Sequence, residues 1–239
     1  MKSTALATPS RRISLPTVRI ADGTIEALKW VALICMTCDH VDKYLLHASV
    51  PLLFDLGRLA MPLFGFVLAY NLARPGLAER DGFQRAMRRL AVAGVAATPA
   101  FIGLGGLLHG WWPLNIMFAL LVVTGSAFLW QRGGAAFKIA AVVVVIVGGS
   151  SVEFWWPAVG FCLAAWAYCK RPSWAALLCA LLCCALLSII NGNSWALAAL
   201  PGICAAPFLK LQIPRVRHVF YAYYPLHLTV IWVVHALSS

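Results

Sequence analysis

Apolar runs follow one another along almost the whole chain, at 26–47, 52–73, 86–108, 114–130, 136–151, 155–169, 174–190, 195–209 and 219–237. A helix needs about 20 such residues to cross the hydrocarbon of a bilayer. Only helices and closed barrels satisfy every backbone polar group there. The runs therefore predict an all-α fold, a polytopic transmembrane helical bundle of about nine spans. The number falls to eight if the short windows at 136–151 and 155–169 merge or break. Composition excludes the alternatives. The apolar and aromatic set makes up 62% of the residues and charged residues only 11%, against about 45–50% and 25% in soluble domains. With a mean hydropathy of +0.84, this is no soluble enzyme, disordered segment or disulfide-stapled domain.

The charges that remain set an orientation. Residues 1–24 carry Lys2, Arg11, Arg12 and Arg19 against one acid, Asp22, and read as a flexible basic cytoplasmic tail. The apolar run behind it is too long and too charged for a signal peptide. Residues 25–239 read as a single transmembrane helical domain. With the N-terminus cytoplasmic, all of the 19 basic residues except Lys43 and Arg58 fall on the inner side, as the positive-inside rule requires. The C-terminus then lies outside. The formal charge of +11 is explained by topology, without a nucleic-acid partner. Trp111, Trp112, Trp155 and Trp156 fall where interfacial aromatic anchors are expected. The 8 cysteines are spread through apolar runs as small hydrophobes. Cys35 and Cys38 form a C-x-x-C inside an apolar run with no second pair, so no redox role is expected of it.

Ionisable residues inside a bilayer are costly and mark functional sites by default. Two windows concentrate them. The first holds Lys29, Asp39, His40, Asp42 and Lys43; the second holds Asp55 and Arg58. Counted from the short ASVP connection, His40 and Arg58 each lie about 10 Å below the outer surface at 1.5 Å per residue. That connection makes the two helices antiparallel neighbours. His40, Asp39 and Arg58 can then share one site, in which histidine suits a base working near neutral pH. A structural alternative stands beside this. Asp39 and Lys43 are spaced i,i+4 and Asp55 and Arg58 i,i+3, so each pair can neutralise itself along its own helix.

Lys29 precedes His40 by eleven positions, three turns, on one face through Leu33 and Met36. The rise is about 16 Å. A long substrate with an anionic head at Lys29 and its reactive end at His40 would fit that stripe; a snorkelling, topology-setting lysine explains it equally. Asn115 is either an oxyanion donor or a helix cap. His227, two residues after Pro225, is either functional or a core histidine bonded to a neighbouring Tyr or carbonyl. His40 and Asp42 are i,i+2 and face different sides, so no metal site is expected. H-E-x-x-H, P-loop and G-x-G-x-x-G patterns are absent from the sequence.

The segments ALKWVALICMTCDHVDKYL, GRLAMPLFGFVLAYNL, PLNIMFALL and FYAYYPLHL carry a resemblance. They resemble the TraX family of membrane acetylases from conjugative plasmids, its TrbP branch included, and through it the wider acyltransferase-3 enzymes. The basic residue, ten residues and histidine of the first segment are the most specific part. From about 131 to 210 the likeness extends only to apolar helices. The resemblance implies a multi-pass protein of the bacterial inner membrane. It also implies acetyl-CoA as donor and a pilin subunit, acetylated on its N-terminal amine, as acceptor. It assigns His40 as catalytic base and Lys29 to the acyl-CoA path, with Arg58, Asn115 and His227 at motif positions; with the reading of the residues, His40, Asp39 and Arg58 are the candidate catalytic set and Lys29, Asn115 and His227 the candidate substrate-binding set.

Two other classes compete. A non-enzymatic pilus assembly factor would need a lipid-facing groove such as the small-residue face of Gly94 and Thr98, and would tolerate loss of His40. A proton-coupled transporter using Asp39, His40 and Arg58 as a relay would show uptake without an acyl donor.

Overall fold

The computed structural model describes residues 15–216 and 219–238. Among them the architecture is all-helical. The elements are α1 (Asp22–Leu45), α2 (Pro51–Gly57), α3 (Ala60–Leu72), α4 (Gly82–Gly103), α5 (Ile116–Arg132), α6 (Ala135–Ser151), α7 (Trp155–Lys170), α8 (Trp174–Asn191), α9 (Ala199–Ala205) and α10 (Val219–Ser238). Each apolar window is helical. Three helical stretches have the length and apolarity to cross a membrane: Pro51–Leu72, Trp174–Asn191 and Val219–Ser238. Their outward faces are apolar, with Leu178, Leu182 and Ile189 on α8 and Leu226, Val230 and Val233 on α10 exposed. Water would not tolerate such contiguous surfaces, whereas lipid would. The chain fits a membrane protein.

The register between helices follows from paired residues. Val50 donates to the Asp42 carboxylate at 2.9 Å, Arg58 meets Asp39, and Ile20 donates to the Tyr70 hydroxyl at 2.9 Å. Position falls on α1 as it rises on the second strand of these pairs, so α1 packs antiparallel to α2 and α3. Against α10 the order runs the other way. Glu26 accepts from Val216 N–H, Trp30 packs on Phe220, His40 meets His227, and His235 meets the Tyr44 carbonyl. Residues separated by nearly constant intervals meet, so α1 and α10 are parallel. An extended segment at 209–216 makes this return. It crosses α1 at Gly23, where an added Cβ would lie 2.1 Å from the Leu211 carbonyl oxygen; only glycine allows so close a passage.

Within the stretch 1–24, α1 starts at Asp22, and Ile20 is buried with its N–H and carbonyl both bonded to the Tyr70 hydroxyl. Residues 1–14, with Lys2, Arg11 and Arg12, lie outside the described residues. The window 52–73 is interrupted at Arg58 and Leu59 between α2 and α3, and the window 195–209 is α9 flanked by 3-10 turns at Trp195–Ala198 and Ala206–Phe208. The small-residue face of α4 is covered by α5. A Cβ on Gly94 would meet the Phe118 ring at 3.0 Å, and Thr98 donates back to the Gly94 carbonyl at 2.8 Å.

Candidate active site

A cavity of about 770 Å³ runs between α1, α2, α3, α4, α5 and α10. Its wall on α1 is formed by Lys29, Leu33, Met36, Asp39, His40 and Lys43, the face that the eleven-residue spacing singles out. At the Lys29 end stand Arg74, Arg80, Arg85, Arg89 and Arg215. Apolar side chains line the middle, among them Met61, Phe64, Leu120 and Leu228. His40, Asp39, Arg58 and Glu153 line the other end. One space thus joins a cationic mouth, an apolar waist and a polar, histidine-bearing end.

The ion pair at that end crosses between helices. Arg58 pairs with Asp39, both side chains being largely buried. It also donates to the Phe54 carbonyl at 3.3 Å and to the Asn191 side-chain oxygen at 3.4 Å. The guanidinium lies 4.1 Å from the centroid of the Phe54 ring, a cation–π contact. The break between α2 and α3 places Arg58 here, where α2 runs against α1. Gly57 lets the helices close on each other, since a Cβ there would lie 2.3 Å from the Asp39 Cβ. The self-neutralising pairs along one helix are not formed: Asp39 takes Arg58 rather than Lys43, and Asp55 accepts from the Asn193 amide at 2.9 Å.

His40 is oriented by α10. Its Nδ1 lies 2.7 Å from His227 Nε2, and His227 Nδ1 lies 2.9 Å from the Tyr223 carbonyl oxygen. The rings are parallel within 5° with centroids 5.0 Å apart, which at this N···N distance sets them edge to edge, as an in-plane lone pair requires. The tautomers follow from what each atom can do. A carbonyl only accepts, so His227 carries its proton on Nδ1. Its Nε2 is then a bare acceptor, and His40 donates from Nδ1. The Nε2 of His40 is left with a free lone pair. The contact is braced at Thr37, whose hydroxyl donates to the Leu33 carbonyl at 2.8 Å and so accepts from the Tyr223 hydroxyl at 2.9 Å.

The remaining residues expected from the sequence divide. Lys29 lines the cavity but is engaged with Glu26 at 2.5 Å and lies 4.6 Å from the Phe220 ring centroid. Asn115 caps α5. Its side-chain oxygen accepts from Met117 N–H at 3.1 Å, and its amide donates to the Gly94 carbonyl at 3.0 Å and to the Thr98 hydroxyl at 3.3 Å. It faces a separate small cavity. His227 stands behind His40 and is not among the residues that line the cavity.

Sequence reasoning passed over Glu153. It lies in the connection between α6 and α7 and lines the His40 end of the cavity. Ser151 and Glu153 bracket Leu114 with two backbone hydrogen bonds of 2.9 Å. Phe154 and Trp155 follow with positive φ of 59° and 49°, a conformation bulky residues rarely adopt, and the turn directs the carboxyl inward. Burial pushes the Glu153 carboxyl up to about 7, against the pull of Lys43, the Ile116 backbone N–H and Arg58. One signal was available in the sequence: Glu153 is the only acid after Asp81.

No group of three or more His, Cys, Asp or Glu capable of holding a metal occurs among the described residues. The family model described as TraX protein matches residues 24–235. No curated protein and no solved structure matches the chain.

Proposed function

The chain belongs to the TraX family, a conjugation-related group, and from that premise we propose that it is a membrane acyltransferase. It transfers acetyl from acetyl-CoA to the N-terminal amine of a conjugative pilin. It sits in the bacterial inner membrane with nine crossings and a cytoplasmic N-terminus. The observation that carries the activity is the hydrogen-bonded pair His40–His227, which presents a free imidazole lone pair at one end of a cavity whose other end is cationic.

The donor's chemistry fits that space. Its phosphates suit the arginines at the cytoplasmic mouth, and its narrow amide arm suits the apolar waist. Lys29 and His40 are separated by about 16 Å of helix rise, so the thioester would be held beside the histidine. The acceptor amine attacks the thioester carbonyl carbon while His40 Nε2 takes a proton from the attacking nitrogen. The resulting imidazolium donates through Nδ1 to His227, which stabilises the charge. Arg58, held by Asp39, is the cation available to the developing oxyanion. On collapse the C–S bond breaks and the sulfur leaves with the proton from His40.

Transfer of label tests this. Membranes containing the wild-type chain and pilin should move the acetyl group of labelled acetyl-CoA onto pilin, and membranes with His40→Ala should not. Equal labelling with both proteins would overturn the proposal.

A further inference from the structure

Acyl transfer to an amine must dispose of more protons than one histidine can accept. An α-amine with a pKa near 7.7–8.0 arrives mostly as ammonium. It must lose one proton before it can attack and a second after the C–N bond forms. His40 accounts for the second. Glu153 is the one carboxyl at that end of the cavity left without an ion-pair partner within 4.0 Å among the described residues.

Its place is fixed by the backbone: Glu153 N–H donates to the Leu114 carbonyl at 2.9 Å, and the positive φ of Phe154 and Trp155 turns the chain directly after it. The Tyr224 ring lies 5.6 Å from the His227 ring, and His227 holds His40. The charged groups facing Glu153 are Lys43 and Asp39 from α1 and Arg58 from the α2–α3 junction. Asp39 and Arg58 neutralise each other. A carboxylate accepts and never donates, so its side turned to the cavity is complementary to an N–H-rich cation. A hydroxyl acceptor would bring no charge to offset the burial of the carboxylate.

Resting on the acyltransferase reading, we infer that Glu153 is the binding site for the acceptor's ammonium group and takes its first proton, which makes the site selective for amines over hydroxyls. The ammonium loses one proton to Glu153. The nitrogen lone pair then forms the C–N bond, and His40 takes the second proton and passes it to the departing sulfur. Glu153 releases its proton to water. One ammonium and one thioester give one amide, one thiol and one proton.

The test uses the full chain in lipid nanodiscs with a synthetic peptide of the pilin N-terminus and its α-hydroxy analogue. Glu153→Gln keeps the size and shape of the side chain and removes the charge. It should lower kcat/KM for the amine peptide at least tenfold, the scale of a lost charge-assisted hydrogen bond, and leave the hydroxy peptide unaffected or improved. An unchanged amine-to-hydroxyl preference in Glu153→Gln would overturn the inference while leaving the acyltransferase reading intact. Wild-type protein that acetylates neither peptide would overturn both. A second measurement needs neither turnover nor a folded variant. Carbodiimide modification of wild-type Glu153, read by peptide mass, should be blocked by octyldimethylammonium, which carries an N–H but forms no stable amide with the activated carboxyl, and not by octanol. Equal protection by the two, or by neither, would count against an ammonium site.

Discussion

Replacement of His227 by alanine isolates the role of the histidine pair. The substitution removes the acceptor that lies 2.7 Å from His40 Nδ1 and replaces no residue of the cavity wall or of the Asp39–Arg58 pair. In the resting state the lost bond joins two neutral rings and is worth about 1 kcal/mol net. Once His40 holds the substrate's proton the same bond is charge-assisted and worth about 1.5–3 kcal/mol. The loss therefore falls mainly on the transition state, and kcat, which reads the difference of about 0.5–2 kcal/mol, should drop roughly two- to thirtyfold. His40→Ala removes the base itself and should cost more, about 10²–10⁴-fold. KM for donor and acceptor should stay within about twofold of wild type, because His227 acts through His40. His227→Gln, whose side-chain oxygen can accept from Nδ1, should recover most of the rate. The assay is steady-state thiol release from acetyl-CoA over a range of acceptor peptide in nanodiscs. An unchanged kcat in His227→Ala, or a loss confined to KM, would refute the tautomer argument.

Two further expectations concern stability. Asp39→Asn and Arg58→Gln each leave a largely buried charge uncompensated and should each cost about 3 kcal/mol or more. The double variant should lose less than the sum, and additive losses in unfolding temperature would show that the pair is not coupled. Glu153 gives a pH dependence whose sign is fixed by its rise from 4.5 to about 7 on folding. Above 4.5 the unfolded chain has released this proton while the folded chain retains it. Stability from this group is thus complete below 4.5, falls as pH rises towards 7, and is level beyond. The loss is at most about 3 kcal/mol, less for the part of the carboxyl that meets water. Melting curves of Glu153→Gln should lack this component, and identical pH profiles for variant and wild type would exclude it.

The helical class and the cavity-lining face of α1 were legible because both are written in local spacing. Apolar runs fix the helices, and Lys29, Leu33, Met36 and His40 recur at intervals that put them on one wall of the cavity. The antiparallel pairing across a five-residue connection likewise placed Arg58 in the layer of Asp39. What local spacing does not encode is contact between distant segments. The partner of His40 comes from 187 residues away, on a helix that runs parallel to α1 after the extended return at 209–216. Nothing in the FYAYYPLHL segment says which helix His227 will face. The i,i+4 rule favoured Lys43 for Asp39, but Lys43 turns towards Tyr44, 4.9 Å from its ring centroid, and the tight approach at Gly57 brings Arg58 instead. Asn115 illustrates an ambiguity of residue type, since the amide that suits an oxyanion also suits a helix start, and α5 uses it there. Glu153 lay in a connection judged by its tryptophans, and only the turn at Phe154 and Trp155 reveals its direction.

The most direct test of the central claim is the intact mass of pilin taken from cells that carry the wild-type chain, His40→Ala or an empty vector. Acyl transfer by His40 is expected to add one acetyl group to pilin in the wild-type cells alone. Pilin of the same mass in all three would contradict it.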